Sequence, residues 1–335
     1  MKAVAYQKFL PAEHPESLLD VELPAPEAQS RDLLVRVEAV SVNPVDTKVR
    51  VRKEPAEGDY QVLGWDAAGV VEAVGAEVTL FQPGDKVYYA GALDRPGSNS
   101  ELHLVDERIA AKMPESLDFA QAAALPLTTI TAWEILFDRL GFTAESTGTL
   151  LVIGAAGGVG SIMIQLAKQL TRLTVIGTSS REETKQWALD LGADHVINHR
   201  NPLHEELQAL GTPQVHAIAS LTNTEQHLPA LAEAIAPQGK IAVIDDPSAL
   251  DIMPFKQKCV SWHWEFMFTR SLFQTEDIQK QHDLLTETAR LIDAGRIKTT
   301  LAETFGAINA TNLRRAHQLL ESGKSRGKIV LAGFE

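Results

Sequence analysis

The sequence predicts an α/β protein in which a doubly wound parallel sheet accompanies a barrel-like β domain. Three observations predict it. Residues 149–170 read TLLVIGAAGGVGSIMIQLAKQL, a short apolar run, a glycine-rich turn and a periodic helix. From about residue 128 to 268, short apolar runs alternate with helical patterns, the texture of a sheet built from strand–helix–strand crossovers. Before about residue 125, short alternating segments are broken repeatedly by Gly and Pro, which suits a barrel.

Taken in order, residues 33–37 alternate in polarity, and turns recur at Asn43-Pro44, Gly64, Gly75, Pro83-Gly84-Asp85 and Gly97. Strands are expected at 150–153, 173–177, 195–197, 215–220, 240–244 and 260–266, with helices between them, notably 183–191 and 226–236. Two further helices, near 276–294 and 310–322, precede a closing strand at 328–331. No internal repeat or low-complexity segment interrupts this order.

The glycine turn carries the first chemistry. Residues 150–153 suit a strand buried on both faces, and Val159, Ile162, Met163, Leu166, Ala167 and Leu170 form one helical stripe that packs back on the sheet. Between them, Gly154, Gly157, Gly158 and Gly160 allow a tight turn and close backbone approach. The backbone of Gly154, Ala156, Gly157, Gly158 and Val159 is expected to cradle a dinucleotide pyrophosphate, whose charge the helix N-terminus favours. An ordinary glycine loop is the alternative, and the flanking strand and helix weigh against it. At the end of the second strand an NAD site would place a carboxylate for the ribose 2′-OH. Here the chain reads Thr178-Ser179-Ser180-Arg181. Ser179, Ser180 and Arg181 suit a 2′-phosphate, so NADPH is the expected cofactor. Ser180-x-x-Glu183 also fits a capping box, a role compatible with phosphate binding.

Hydrophobic residues make up 44% and charged residues 22%, the profile of a globular enzyme. A net charge of −13 argues against a nucleic-acid partner. The single cysteine, Cys259, excludes an internal disulfide and a cysteine-built zinc site. No apolar stretch reaches the length of a membrane span, and the N-terminus lacks a secretory pattern, so a cytoplasmic location is expected.

Residues 64–87 (GWDAAGVVEAVGAEVTLFQPGDKV), 41–50 (SVNPVDTKVR), 125–136 (LPLTTITAWEIL) and 316–331 (AHQLLESGKSRGKIVL) resemble landmarks of the medium-chain dehydrogenase/reductase superfamily, in their usual order. SREET at 180–184 and HWEFMFTR at 263–270 make the chain most similar to zinc-type alcohol dehydrogenase-like proteins of the quinone oxidoreductase branch. The resemblance implies a GroES-like β-barrel catalytic domain from residues 1–127 and 269–335, and a Rossmann domain from 128–268. It implies catalysis between the two, and a homodimer joined through the nucleotide-sheet edge around 258–266. It places His199 where relatives carry a tyrosine near the 2′-phosphate, Thr131 on the nicotinamide face opposite the substrate, and Lys328 close to the cofactor. Asn43 and Asp46 fall where the nicotinamide and substrate are lined.

Matched to the same motifs, the catalytic-zinc positions are Asn43, Trp65 (followed by Asp66) and Leu127. None is a thiolate or imidazole, so no metal is expected. Without a Lewis acid, hydride transfer suits an acceptor that is already electrophilic, a quinone or an α,β-unsaturated carbonyl, rather than a simple alcohol. Asn43 is expected to donate to the substrate carbonyl, and Asp46 to orient Asn43 or relay a proton. A plain turn with Asp46 as its cap is the structural alternative. Trp65 is expected either to wall the vacated metal pocket or to pack the core. Tyr88 and Tyr89 follow the PGDKV turn near these residues. Trp264, Phe266 and Phe268 read as the last strand of the nucleotide sheet; packing is their default role, with Phe266 and Phe268 the candidates to line the nicotinamide end. No general acid is identifiable. A zinc-dependent alcohol dehydrogenase and a non-catalytic NADPH-binding redox sensor are the competing functions.

Overall fold

A computed structural model describes residues 1–52 and 54–334. The chain forms two compact units, Met1–Ile130 with Phe268–Glu335, and Thr131–Met267.

The first unit opens with β1 (Lys2–Tyr6), β2 (Leu19–Glu22), β3 (Asp32–Ser41) and α1 (Pro44–Arg50). There follow β4 (Gln61–Val62), β5 (Ala67–Val74), β6 (Lys86–Tyr89), β7 (Leu102–Asp106) and β8 (Ala110–Lys112). Helices α2 (Phe119–Ala123) and α3 (Pro126–Trp133) lead to the second unit. That unit contains β9 (Thr149–Ile153), α4 (Gly158–Leu170), β10 (Thr174–Thr178), α5 (Glu182–Asp190), β11 (His195–Ile197) and α6 (Leu203–Ala209). It continues through β12 (Val215–Ser220), α7 (Thr224–Ala234), β13 (Ile235–Val243) and β14 (Ser261–Trp264). The chain then completes the first unit with α8 (Thr269–Leu272), α9 (Lys280–Asp293), β15 (Leu301–Thr304), α10 (Ala310–Glu321) and β16 (Lys328–Ala332).

In the first unit a sheet ordered β15-β16-β3-β5-β6-β8, with β7 also on β3, accompanies a small sheet β2-β1-β4. The alternation that predicts β3 is realised: Leu33, Val35 and Val37 are buried, and Arg36 is exposed. β16 runs antiparallel to β3, with Val330 opposite Ser41. Val42 N–H donates to Ile329 O at 3.1 Å. This pairing sets Lys328, from the far end of the chain, beside Asn43.

The second unit is one parallel sheet ordered β11-β10-β9-β12-β13-β14. Numbered within the unit, this is 3-2-1-4-5-6, the doubly wound order of dinucleotide-binding domains. Every residue of β9 is buried, as a central strand covered on both faces requires. Of the predicted stripe of α4, Ile162, Met163, Leu166 and Ala167 are buried, and Val159 and Leu170 at its ends are half-buried.

Three local readings change. β14 ends at Trp264, so Phe266 and Phe268 are not strand residues, and Phe268 stands at the N-cap of α8. The strand pairs with β13 only to Val243–Trp264 before the chain turns away. The Ser180–Glu183 capping box does not form: α5 starts one residue later, with Arg181 at its N-cap. The Ser179 hydroxyl, 2.5 Å from Thr184 Oγ1, secures that turn instead. Finally, β13 begins at Ile235, inside the predicted 226–236 helix.

Candidate active site

The predicted phosphate turn is formed as a left-handed step at Gly154 (φ +82°), Gly157 at the N-cap of α4, and the helix itself. Gly154 N–H donates to Thr178 Oγ1 at 3.2 Å, tying the turn to the end of β10. A Cβ on Gly160 would come within 2.6 Å of the Gly154 and Ala155 carbonyl oxygens, so only glycine lets the helix start this close to the turn. A Cβ on Gly157 would meet only Gly154 O, at 3.4 Å. The first-turn N–H groups of α4, from Gly158 and Val159 onward, have no partner within the helix and suit an anion. Ala156 is buried in the same turn.

Next to it, Ser179 N–H donates to Ile197 O at 2.9 Å, which sets the loops after β10 and β11 side by side. The first loop carries half-buried Ser180 and exposed Arg181, and the second carries half-buried His199. The Ser179 hydroxyl, by contrast, also donates to Arg181 O at 3.1 Å, so it shapes the loop. The His199 ring meets His227 of α7 edge-on, with centroids 6.1 Å apart. Burial, and then the charge of its neighbour, lower the pKa of His199; burial alone lowers that of His227. His227 was missed by sequence reasoning; its only signal is a histidine in the first turn of a helix that follows a sheet strand.

Thr131 is buried on α3, and Phe266 is 49% exposed beyond β14. Trp264, at 57%, stands two residues before it. Trp264, Glu265 and Phe266, together with Ile244–Pro247, line a cavity of about 390 Å³ at the carboxyl ends of β13 and β14, the side on which ligands bind doubly wound sheets.

In the first unit Asn43, Asp46 and Trp65 are brought together, and all are buried. Asn43 is the N-cap of α1, and Asp46 Oδ2 accepts its N–H at 2.6 Å. Pro44 at N1 presets the first turn. Asp46 is therefore the helix cap that plain turn chemistry allowed. The Asn43 amide is committed elsewhere: Nδ2 donates to Asp66 Oδ2 at 2.8 Å and to Ser41 O at 3.3 Å. The Asn43 Oδ1 accepts from Lys328 Nζ. Lys328, 3% exposed, also donates to Asp66 Oδ2 at 3.0 Å and to Val42 O at 2.9 Å, which uses its three N–H groups. Asp66 Oδ1 accepts Leu127 N–H at 2.7 Å. Thus Lys328, expected near the cofactor, is the core of a closed polar cluster. Burial pushes the Asp46 carboxyl up to about 7 against the pull of the Asn43 N–H and the Lys328 charge. Burial likewise raises Asp66, opposed chiefly by Lys328.

Zinc does not fit this arrangement. Asn43 Oδ1 already holds an ammonium, whose positive charge repels a second cation at the same place. Trp65 Nε1 is a donor only, and it donates to Ala92 O at 3.1 Å, while its ring meets Phe268 edge-on at 6.4 Å. Leu127 offers no ligand atom. Among the described residues no group of three or more His, Cys, Asp and Glu could hold a metal ion. Tyr88 donates to Leu285 O at 2.6 Å and the Tyr89 hydroxyl lies 3.0 Å from His103 Nδ1, so both tyrosines serve packing. No helix among the described residues is long and apolar enough to cross a membrane.

Residues 29–115 match the alcohol dehydrogenase GroES-like domain, and residues 191–331 match the zinc-binding dehydrogenase model. A zinc-type alcohol dehydrogenase-like protein of Staphylococcus aureus is 40% identical over 99% of both chains. An NADPH-dependent alkenal/one oxidoreductase of Arabidopsis thaliana is 38% identical over 56% of this chain and 50% of its own. Among solved structures, a protein of Rhizobium etli provisionally named a zinc-dependent alcohol dehydrogenase superimposes with a TM-score of 0.96 at 54% identity. That match covers 100% of this chain and 98% of the other. The Escherichia coli quinone oxidoreductase complexed with NADPH gives 0.83 at 26% identity, over 99% of this chain and 100% of its own. The two-unit fold, the glycine turn and this end-to-end likeness have one reading: the chain is an oxidoreductase of the medium-chain dehydrogenase/reductase superfamily and belongs to its zinc-type alcohol dehydrogenase-like proteins.

Proposed function

We propose that this protein is a zinc-independent reductase that uses NADPH to reduce a quinone or an α,β-unsaturated carbonyl compound. The observation that carries the reading is the Lys328–Asp66–Asn43 cluster, which fills the position of a metal site with a fixed ammonium and leaves Asn43 no free N–H. An alkoxide forming there would find no strong electrophile. An enolate or quinol spreads its own charge and needs less help. The naming of the NADPH-dependent Arabidopsis relative and of the NADPH-complexed Escherichia coli structure supports the same cofactor and acceptor class.

Bound NADPH supplies the hydride. The chain binds and orients: the turn at Gly154, Ala156, Gly157, Gly158 and Val159 holds the pyrophosphate, and Ser180, Arg181 and His199 hold the 2′-phosphate, with Ser179 shaping their loop. Thr131 and Phe266 flank the nicotinamide. In the first unit Asp46 caps and Lys328 pins the Asn43 segment, and Trp65 gives the acceptor side a rigid apolar backing. Lys328 acts through Asn43 rather than on the cofactor. Correct placement alone supplies on the order of 7 kcal/mol of barrier reduction in favourable cases.

β14 is an edge strand with Trp264 exposed beside it, and an open edge of this kind supports a homodimer formed by strand pairing. A cytoplasmic location belongs to the same reading. The test is NADPH and NADH consumption by chelator-treated protein against a panel of quinones and enones, with NADP⁺ and simple alcohols as the opposite arm. Reduction of the panel that survives chelation is expected. Alcohol oxidation that appears only with added zinc would refute the reading.

A further inference from the structure

The second unit contains a pair of buried carboxyl groups that the proposed chemistry does not use. Glu134 opens a π-helical turn, Glu134–Arg139, that continues α3, and Glu265 directly follows β14. Both side chains are almost wholly removed from solvent, both face the Arg139 guanidinium, and Glu265 Oε1 has no hydrogen-bond partner. Arg139 Nε donates to Glu265 Oε2 at 2.7 Å, and Arg139 Nη2 lies 3.8 Å from Glu134 Oε2. From β13, Lys240 Nζ donates to Leu140 O at 2.6 Å and closes the same turn. His263 of β14 is the other titratable neighbour, and Asp245 and Asp246 line the adjoining cavity.

Two carboxylates gathered on one guanidinium away from water oppose each other's ionisation, which favours a proton held on the pair. Burial first, and then the Glu134 charge, push Glu265 up to about 9. The placement gives this proton its role. Glu134 lies three residues along the helix from Thr131, and Glu265 is the immediate neighbour of Phe266. π-Turns of this kind concentrate at functional sites.

We propose that Glu134 and Glu265 are positioning residues, whose shared proton, clamped by Arg139, holds the Trp264–Phe266 wall of the 390 Å³ cavity in the shape that receives the nicotinamide end of the cofactor. This rests on the cofactor assignment above, but the clamp itself is measurable without cofactor. Removal of the proton sets a second negative charge beside Glu134 and separates the π-turn from the segment after β14.

The test follows Trp264 emission in the cofactor-free protein from pH 6 to 10, with Trp264→Phe to identify that signal. Wild type is expected to show a one-proton transition near pH 9. Glu265→Gln, whose amide imitates the protonated acid, is expected to keep the low-pH signal throughout. Glu134→Gln removes the repelling neighbour and is expected to move the transition to lower pH. The NADPH dissociation constant of wild type should rise about tenfold across the transition, and that of Glu265→Gln should stay level. A wild type with no transition, or a Glu265→Gln protein that titrates like wild type, overturns the proposal. The spectral pattern in a protein that does not bind NADPH supports the clamp and refutes the cofactor assignment alone.

Discussion

Replacing Lys328 with Met tests whether the ammonium is the charge that makes the Asn43–Asp66 cluster tolerable inside the protein. The substitution keeps the length of the side chain and removes three donated hydrogen bonds, to Val42 O, Asn43 Oδ1 and Asp66 Oδ2. Asp66 is then a buried carboxylate without its cation, and breaking a buried pair from one side costs about 3–5 kcal/mol. In a unit of this size each kcal/mol moves the melting temperature by about 2–4 °C, so a loss on the order of 10 °C at pH 8 is expected by scanning calorimetry. The deficit must depend on pH with a definite sign. Burial already raises the Asp66 carboxyl, and loss of Lys328, its chief opposing influence, raises it further. A raised carboxyl costs nothing below its unfolded value of about 4 and costs most above its folded value, so the deficit grows from pH 5 to pH 8. The double variant Lys328→Met/Asp66→Asn removes both charges and lets the Asn43 amide turn to pair with the introduced amide; at least half of the lost stability should return. A single variant within about 2 °C of wild type at pH 8 would refute the reasoning, as would a deficit that shrinks as pH rises.

Three further outcomes are expected. Arg181→Glu puts a carboxylate where the proposed function places a 2′-phosphate, so the KM for NADPH should rise about 10- to 100-fold and that for NADH less than about threefold in steady-state assays. Asp46 is held up to about 7, above its unfolded value, so the wild type gives up stability as pH rises from about 4 to 7; Asp46→Asn, measured by urea denaturation at pH 5 and pH 8, should flatten that slope. His317, wholly buried with both ring nitrogens lacking a hydrogen-bond partner, is lowered to about 3 by burial and then by Arg50. Its cost therefore appears as pH falls below about 6.5 and continues toward 3, and His317→Leu should reduce acid-induced loss of stability over that range.

What the sequence makes legible follows from the distance over which each interaction is encoded. The glycine turn, β9 and α4 lie within 22 consecutive residues, and their period and turn chemistry are local, so the strand–turn–helix is readable before any fold is known. The closing strand at 328–331 and the helices that precede it are readable for the same reason. The cluster that fills the metal position is not local. Lys328 and Asp66 are 262 residues apart, and only the antiparallel pairing of β16 with β3 brings the ammonium to Asn43. A reading by motif therefore registers three missing ligands at Asn43, Trp65 and Leu127, and not the cation that takes their place. Glu134 and Glu265 escape for the same reason, since each alone is an ordinary acid and their chemistry begins only at contact. Phe266 and the Ser180 box fail differently: there the local pattern is present, but β14 stops at Trp264 and the Ser179–Thr184 contact starts α5 one residue late. The consequence is directional. Motif loss in this chain identifies the position to inspect, and the charge that arrives from the opposite end of the sequence shows what occupies it.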